Sequence, residues 1–371
     1  MPTSIDVIIP SFRLNPATLL PILQLQRPVN IPVHFYLIAD NPALIPDASI
    51  AELIDNQTIT LLINTRNIGA SATRNRGIEA GTGEWLLFLD DDVEVQPDLL
   101  LTYAQAAQQQ QHEIGFIGLV TMPPPPTAFA RAVDANGSMA IFGAAAQNEY
   151  FAWGATANIM IRRNAIGEQR FSTDYPKTGG GEEVEFFLRV RAQNQFTNYR
   201  CLPIAQAQHP WWNNGQADYT RFYRYGKGNS YLAQRNPAYR WYDFLNTPET
   251  LLLICIAVFV LTFFYLPVLS YGMYFIVITF ISEYITCVMR VKRKLDKLSL
   301  STAFNIMKLR IVYEWGTLEG YLSRFRLSGF GERFSYDGNT KPSHFRLNRY
   351  KITKLVFYVL AILALFIFAK S

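Results

Sequence analysis

Cysteine is nearly absent: the 371 residues hold three, Cys201, Cys255 and Cys287. An odd number at those spacings supports neither a disulfide framework nor a zinc site. Two of them lie in apolar runs, so all three read as reduced, buried residues. Charge is also scarce. Only 17% of residues are Asp, Glu, Lys or Arg, while half are hydrophobic, which is apolar for a purely soluble chain. No Gly-rich phosphate loop follows the first strand-like run. Residues 10–13 read PSFR, which argues against a dinucleotide-binding domain and against a nucleotidyltransferase with a Gly/Lys phosphate loop. No signal sequence is expected at the N-terminus, because the apolar run 5–9 is short and Pro10 ends it.

What charge there is sits unevenly. The net charge is +5, with Lys and Arg crowded between residues 290 and 354. These basic residues flank apolar runs, so membrane lipid headgroups are the expected anionic partner and nucleic acid is not. In the first 90 residues, strand-like runs at 5–9, 33–38, 59–63 and 85–89 alternate with helix-like segments at 16–25, 46–56 and 70–80. That alternation predicts an α/β fold with a mostly parallel sheet, whose ligands bind beyond the carboxyl ends of the strands. A helix is expected through 104–111, a loop at the proline run 123–126, and mixed α/β structure to about 234.

The chain then turns apolar. Runs at 251–269, 271–289 and 355–369 approach the length that spans a bilayer. The expected plan is a globular domain over 1–240, two spans within 249–289, a basic segment over 290–351, and a third span over 352–369. The turn near Ser270 lacks Lys and Arg. The positive-inside rule therefore puts 290–351 and the N-terminal domain in the cytoplasm of a multi-pass inner-membrane protein. Within the basic segment, Phe304, Met307, Ile311, Trp315, Leu318 and Leu322 recur at helical spacing. They predict a helix in the membrane interface, with a soluble core helix as the alternative. Glu283, inside the second span, is a functional candidate by position, and pairing with a neighbouring helix is the competing explanation.

Two motifs carry chemistry. Residues 86–95 read LLFLDDDVEV: a buried-looking strand runs into Asp90, Asp91 and Asp92. Two like charges at about 4 Å cost roughly 4 kcal/mol at an effective dielectric of 20. A divalent cation reverses that sign, and hard carboxylate oxygens suit Mg2+ or Mn2+ bridged to phosphates. The second motif, NIGASATRNRG at 67–77, places Asn67 and Gly69 in a loop that opens a helix bearing Arg74 and Arg76. Helix N-terminus and guanidinium groups both favour a diphosphate.

VIIPSFR near the start, Asp40 after the second strand, NIGASATRNRG and LLFLDDDVEV together resemble the nucleotide-sugar half of family 2 glycosyltransferases. WGATAN at 153–158 and GGGEEVEF at 179–186 extend the resemblance, which covers roughly residues 4–235. It implies a GT-A fold, an Asp-x-Asp motif, and inverting transfer of a sugar from a nucleoside-diphosphate sugar with Mn2+ or Mg2+. Asp40 would contact the nucleotide base, with Pro10, Ser11 and Arg13 at the entrance. Asp92 would bind metal and Asp90 the ribose or nucleotide as well as metal, although Asp91 is an alternative register. Glu183 would be the base, where the family commonly has Asp, with Glu182 binding acceptor; Glu182 or Glu185 could replace it. Trp153 and Gly154 fall on the acceptor side. His209, in QAQHPWW, is either a third metal ligand or a structural residue at a strand end. Arg224 and Lys227, in RFYRYGKGNS, would close over the diphosphate or touch headgroups. The Gln-x-x-Arg-Trp of processive polymer synthases is missing, which favours single-sugar addition. The expected acceptor is a polyprenyl-linked saccharide. The alternatives are direct transfer to a polyprenyl phosphate and a non-catalytic nucleotide-sugar-binding subunit.

Overall fold

The computed structural model describes residues 3–295, 297, 299–340 and 345–368. Its contacts divide the chain into two compact units. One holds residues 1–125, 139–214 and 336–338; the other holds 126–138, 215–335 and 339–371.

The first unit is built on a nine-stranded mixed sheet. Its strands are β1 (Ile5–Ser11), β2 (Val33–Ala39), β3 (Ile59–Ile63), β4 (Trp85–Leu89), β5 (Glu94–Val95), β6 (Gly115–Thr121), β7 (Tyr150–Phe151), β8 (Asn158–Arg162) and β9 (Tyr199–Gln208). The order is β3-β2-β1-β4-β8-β6-β9-β5, with β7 beside β9. β3, β2, β1 and β4 run parallel. β8 is antiparallel to β4 and β6. β4 is apolar along its whole length, as a strand covered on both faces tends to be. All five residues of β4 are buried, and so are Ile5 and Val7–Ile9. α1 (Pro16–Leu23) follows β1, and α2 (Ala70–Ala80) packs on β1 and β2. α3 (Leu99–Gln109) and α4 (Glu182–Gln193) complete the longer helices. The helix expected over 46–56 shortens to one turn, Ala48–Ala51.

The second unit is helical: α5 (Tyr219–Arg235), α6 (Thr247–Thr262), α7 (Val268–Lys294), α8 (Leu300–Leu322) and α9 (Arg349–Phe368). Two helices among the described residues, Val268–Lys294 and Arg349–Ile367, are long and apolar enough to cross a membrane. The first expected span is shorter: α6 has 16 residues, about 24 Å at 1.5 Å per residue, against a hydrocarbon core of about 30 Å. Its apolar surface continues through exposed Phe263, Phe264, Tyr265 and Leu266.

Two expectations change here. Residues 215–240 belong to the helical unit rather than to the sheet, because α5 packs along α8. The contact is close: a methyl group at Gly226 would overlap the Tyr313 carbonyl, and one at Gly316 the Tyr223 carbonyl. RFYRYGKGNS is therefore helical, and its glycines serve helix approach. On α8 the buried face mixes small and large residues: Ala303, Ile306, Leu309, Gly316, Thr317, Gly320 and Tyr321. Of the bulky stripe only Leu318 is buried, while Phe304 and Trp315 stay 49% and 52% exposed.

Polar groups seal the helical unit internally. Glu283 on α7 is fully buried and pairs with Lys354 on α9, with Arg310 Nε of α8 at 3.1 Å and with the Thr247 hydroxyl at 2.7 Å. Arg310 also holds Glu314 at 2.9 Å. Of the two explanations for Glu283, pairing between helices is the one seen, since a buried carboxylate left alone would be strongly unfavourable.

Candidate functional site

β1, β2 and β4 end side by side, in register Ser11↔Ala39 and Ile8↔Phe88. This sets Ser11, Asp40 and the Asp triplet at one edge of the sheet. The Ser11 hydroxyl donates to Asp91 Oδ2 at 2.5 Å and accepts the Leu14 N–H at 2.9 Å. Burial pushes the Asp91 carboxyl up to about 6; the Ser11 hydrogen bond opposes this, and Asp92 and Asp90 add to it by repulsion. Asp90 receives Arg74 at 2.8 Å, from a side chain only 8% exposed. The same guanidinium lies 5.8 Å over the Phe171 ring. Arg13, which is exposed, approaches Asp92 at 3.7 Å.

β5 pairs with the end of β9, Glu94 opposite Gln208, and so carries His209 to the triplet. His209 is 4% exposed; its Nδ1 lies 2.6 Å from the Pro210 carbonyl and its Nε2 lies 3.5 Å from Asp92 Oδ1. A carbonyl oxygen only accepts, so Nδ1 carries the proton. In the neutral ring Nε2 then presents a lone pair to a carboxylate oxygen, and a cation between the two satisfies both. One donor atom from each of Asp90, Asp92 and His209 falls within 4.8 Å of the others. Two hard carboxylates and an imidazole suit a divalent cation such as Mn2+ or Mg2+. Between a metal ligand and a structural residue at the end of β9, the geometry makes His209 part of a candidate divalent-cation site.

The second carboxylate cluster opens α4. Gly179, Gly180 and Gly181 all have positive φ, at 91°, 155° and 114°, a conformation that costs a residue with a Cβ. Glu183 is half-buried in the site wall, where Thr156 donates both its N–H and its hydroxyl to Oε2, each at 3.1 Å. Burial pushes the Glu183 carboxyl up to about 7; Glu182 adds to the rise and Arg74 opposes it. Glu182 folds back, its Oε2 accepting the Gly180 N–H at 2.7 Å.

Several expected contacts are otherwise engaged. Asp40 is not open toward a base: its carboxylate accepts from Asn64 Nδ2 and from the N–H groups of Ile68 and Gly69, each at 2.8 Å. The Asn67 side chain also caps Gly69, at 3.1 Å. Ala70 N–H bonds to the Lys177 carbonyl at 3.0 Å. The N–H groups of Ile68, Gly69 and Ala70 are thus satisfied within the protein; Arg74 is the group of that motif that reaches the triplet. Trp153 donates its indole N–H to the Tyr336 carbonyl at 2.7 Å. Gly154 is buried where a side chain would strike Ile159 and Ile117. Both shape the loop before β8 from within. Pro10 lies inside β1, opposite Ile38. Arg224 and Lys227 belong to α5 in the helical unit, where Glu319 holds Lys227 at 3.0 Å. Thr156 was not anticipated as a partner of Glu183, although it sits in the WGATAN stretch already singled out.

Sheet and site together define a GT-A-type α/β domain with a candidate cation centre at the strand ends. Residues 33–166 match the family model described as glycosyl transferase family 2. Over 60 residues it is 37% identical to the uncharacterized glycosyltransferase YibD of Escherichia coli strain K12, a match spanning 16% of this chain and 17% of that protein. Among solved structures it is similar to the mannosyltransferase PcManGT from Pyrobaculum calidifontis in complex with GDP-Man and Mn2+ (12% identity, TM-score 0.44, covering 98% of this chain and 83% of that one). It is also similar to S. aureus TarS (13% identity, TM-score 0.40, covering 62% and 39%). These two likenesses are distant, and the fold is defined by the strand order itself.

Proposed function

We propose that this protein is a metal-dependent, inverting glycosyltransferase. It would move a single sugar from a nucleoside-diphosphate sugar to a membrane-associated, polyprenyl-linked acceptor. The observation that carries the reading is the convergence of one donor atom from each of Asp90, Asp92 and His209 within 4.8 Å of the others, with Arg74 beside Asp90. When bound there, a divalent cation would stabilise charge on the departing diphosphate. Asp90, Asp92 and His209 would hold it. Arg74, fixed over Phe171, and Arg13, at the rim, would set positive charge where the leaving oxygens develop negative charge.

Glu183 is the general base in this reading. A carboxyl poised near 7 is half ionised at neutral pH and still basic enough to take the acceptor's hydroxyl proton. As that oxygen bonds to the anomeric carbon, the bond to the diphosphate breaks on the opposite face. Thr156 aims the carboxylate. Asp40 and Glu182 act one step removed: Asp40 ties down the 67–69 loop, and Glu182 braces the glycine turn under Glu183. A non-catalytic binding subunit has no need of a raised carboxyl held by Thr156, so the enzymatic reading is favoured.

On the membrane side, α7 and α9 would span, with the exposed Phe304 and Trp315 of α8 resting in the interface and the catalytic unit in the cytoplasm. Membranes containing the protein, supplied with radiolabelled UDP- and GDP-sugars, test the whole reading. A chloroform-soluble labelled product that disappears with EDTA is expected, and its lability to mild acid separates transfer onto a lipid saccharide from transfer onto lipid phosphate. Failure of every donor to be consumed would overturn it.

A further inference from the structure

The start of α9 and the end of α7 hold a group of cations that the transfer reaction does not use. Arg290 of α7 places its guanidinium carbon 3.8 Å from the ring centre of Tyr350 on α9. Arg349 reaches the same residue, its carbon 5.0 Å from the ring centre and its terminal nitrogen 3.1 Å from the phenol oxygen. Arg293, one turn beyond Arg290, acts on that phenol as well. Three guanidinium groups thus gather on one aromatic side chain. Among the described residues no carboxylate forms an ion pair with any of them. The neighbouring acids are committed: Glu283 to Arg310 and Lys354, and Glu314 to Arg310.

Ordinary helix electrostatics does not account for this. Lys292, Arg293 and Lys294 occupy the last turn of α7, where cations are favoured. Arg290 lies a turn earlier, and its Nε is enclosed with no hydrogen-bond partner. Arg349 is the first residue of α9, where the helix end is positive and a cation is disfavoured. Each group raises the cost of the others unless an anion is present. The location selects the anion. These residues sit at the ends of the two helices long enough to cross a bilayer, the level at which lipid phosphates lie, and basic clusters between such helices bind phosphate headgroups. Guanidinium forks match a phosphate in geometry as well as charge.

We propose that Arg290, Arg293, Arg349 and Tyr350 form a binding site for the phosphate of a membrane lipid. It rests on the proposed function only in assuming that α7 and α9 span a membrane, and it stands if sugar transfer fails.

The test uses the full chain in a neutral detergent, without nucleotide sugar. Native mass spectrometry counts bound lipid during titration with dioleoyl-phosphatidylglycerol and, separately, with farnesyl phosphate. One saturable lipid per chain is expected. R293Q/R349Q should weaken it at least tenfold, and so should R290Q, with R290K recovering part of the loss. K292Q/K294Q removes the same charge from the adjacent surface and should stay within twofold. At least tenfold preference for farnesyl phosphate would make the bound phosphate that of a prenyl lipid; equal affinity would make it a bulk headgroup; both support the site. Equal loss in K292Q/K294Q, no loss in R293Q/R349Q, or displacement by inorganic phosphate at the same concentration as lipid would overturn it. Circular dichroism of each variant separates lost binding from lost folding.

Discussion

The hydroxyl of Thr156 offers a measured way into the chemistry. It donates one of two hydrogen bonds to Glu183 Oε2, the other coming from its own backbone N–H. Thr156→Val removes the hydroxyl alone and keeps the branched shape and the N–H. A hydrogen bond to a charged group contributes about 1.5–3 kcal/mol, discounted where other donors and water compensate. Taking about 1.4 kcal/mol as the net loss to the ionised form, the Glu183 carboxyl should rise by about one pH unit, from about 7 to about 8. A base works only when ionised, so the rate should climb with pH through that value. At pH 7 the ionised fraction falls from about one half to about one tenth, a loss of about fivefold that vanishes near pH 9.5. The assay is the initial rate of nucleoside-diphosphate release from the donor sugar between pH 5.5 and 9.5. An unshifted profile, or an equal loss at every pH, would refute the role given to Thr156 and with it the assignment of Glu183 as base.

Further outcomes follow from the same structure. Glu183→Gln should lower turnover by about 10²–10⁴-fold and raise the melting temperature at pH 8. The folded-state carboxyl is raised, so wild-type stability falls as pH climbs from about 4.5 to about 7, whereas the amide is indifferent to that range. Calorimetric scans at pH 5 and pH 8 should show the gain only at the higher pH. Lys354→Met leaves buried Glu283 with Arg310 and Thr247 and should cost toward the lower end of about 3–5 kcal/mol, read as a drop in the melting temperature of detergent-solubilised protein. Gly226→Leu drives a side chain into the Tyr313 carbonyl; parting α5 from α8 should yield unfolded or protease-sensitive protein, while Phe304→Ser on the exposed face of α8 should not.

The α/β alternation was readable because parallel strands buried on both faces are nearly continuous apolar runs, and β1 to β4 show them. The Asp triplet was readable because local sequence alone puts it at a strand end. His209 could be nominated from its spacing but not decided, since its meeting with Asp92 depends on β5 pairing with β9 across more than 100 residues. What failed were inferences from residue type without partners. NIGASATRNRG looked like an anion cradle, yet Asp40 and the Lys177 carbonyl, distant in sequence, take the N–H groups of Ile68, Gly69 and Ala70. The glycines of RFYRYGKGNS carry no helical signal on their own, since glycine is a poor helix former. They let two helices touch, a reason that exists only once α8 lies against α5. The bulky stripe of α8 leaves Phe304 and Trp315 exposed, as an interfacial helix requires, while the opposite face packs inside the helical unit.

The central claim is that Asp90, Asp92 and His209 close around a divalent cation, and Mn2+ titration of the purified chain, followed by electron paramagnetic resonance of the free ion, tests it directly. One site is expected in the wild type, weakened at least tenfold by His209→Ala and lost in Asp92→Asn, with EDTA abolishing donor turnover. Mn2+ uptake that is the same in all three proteins, or turnover indifferent to EDTA, would contradict it.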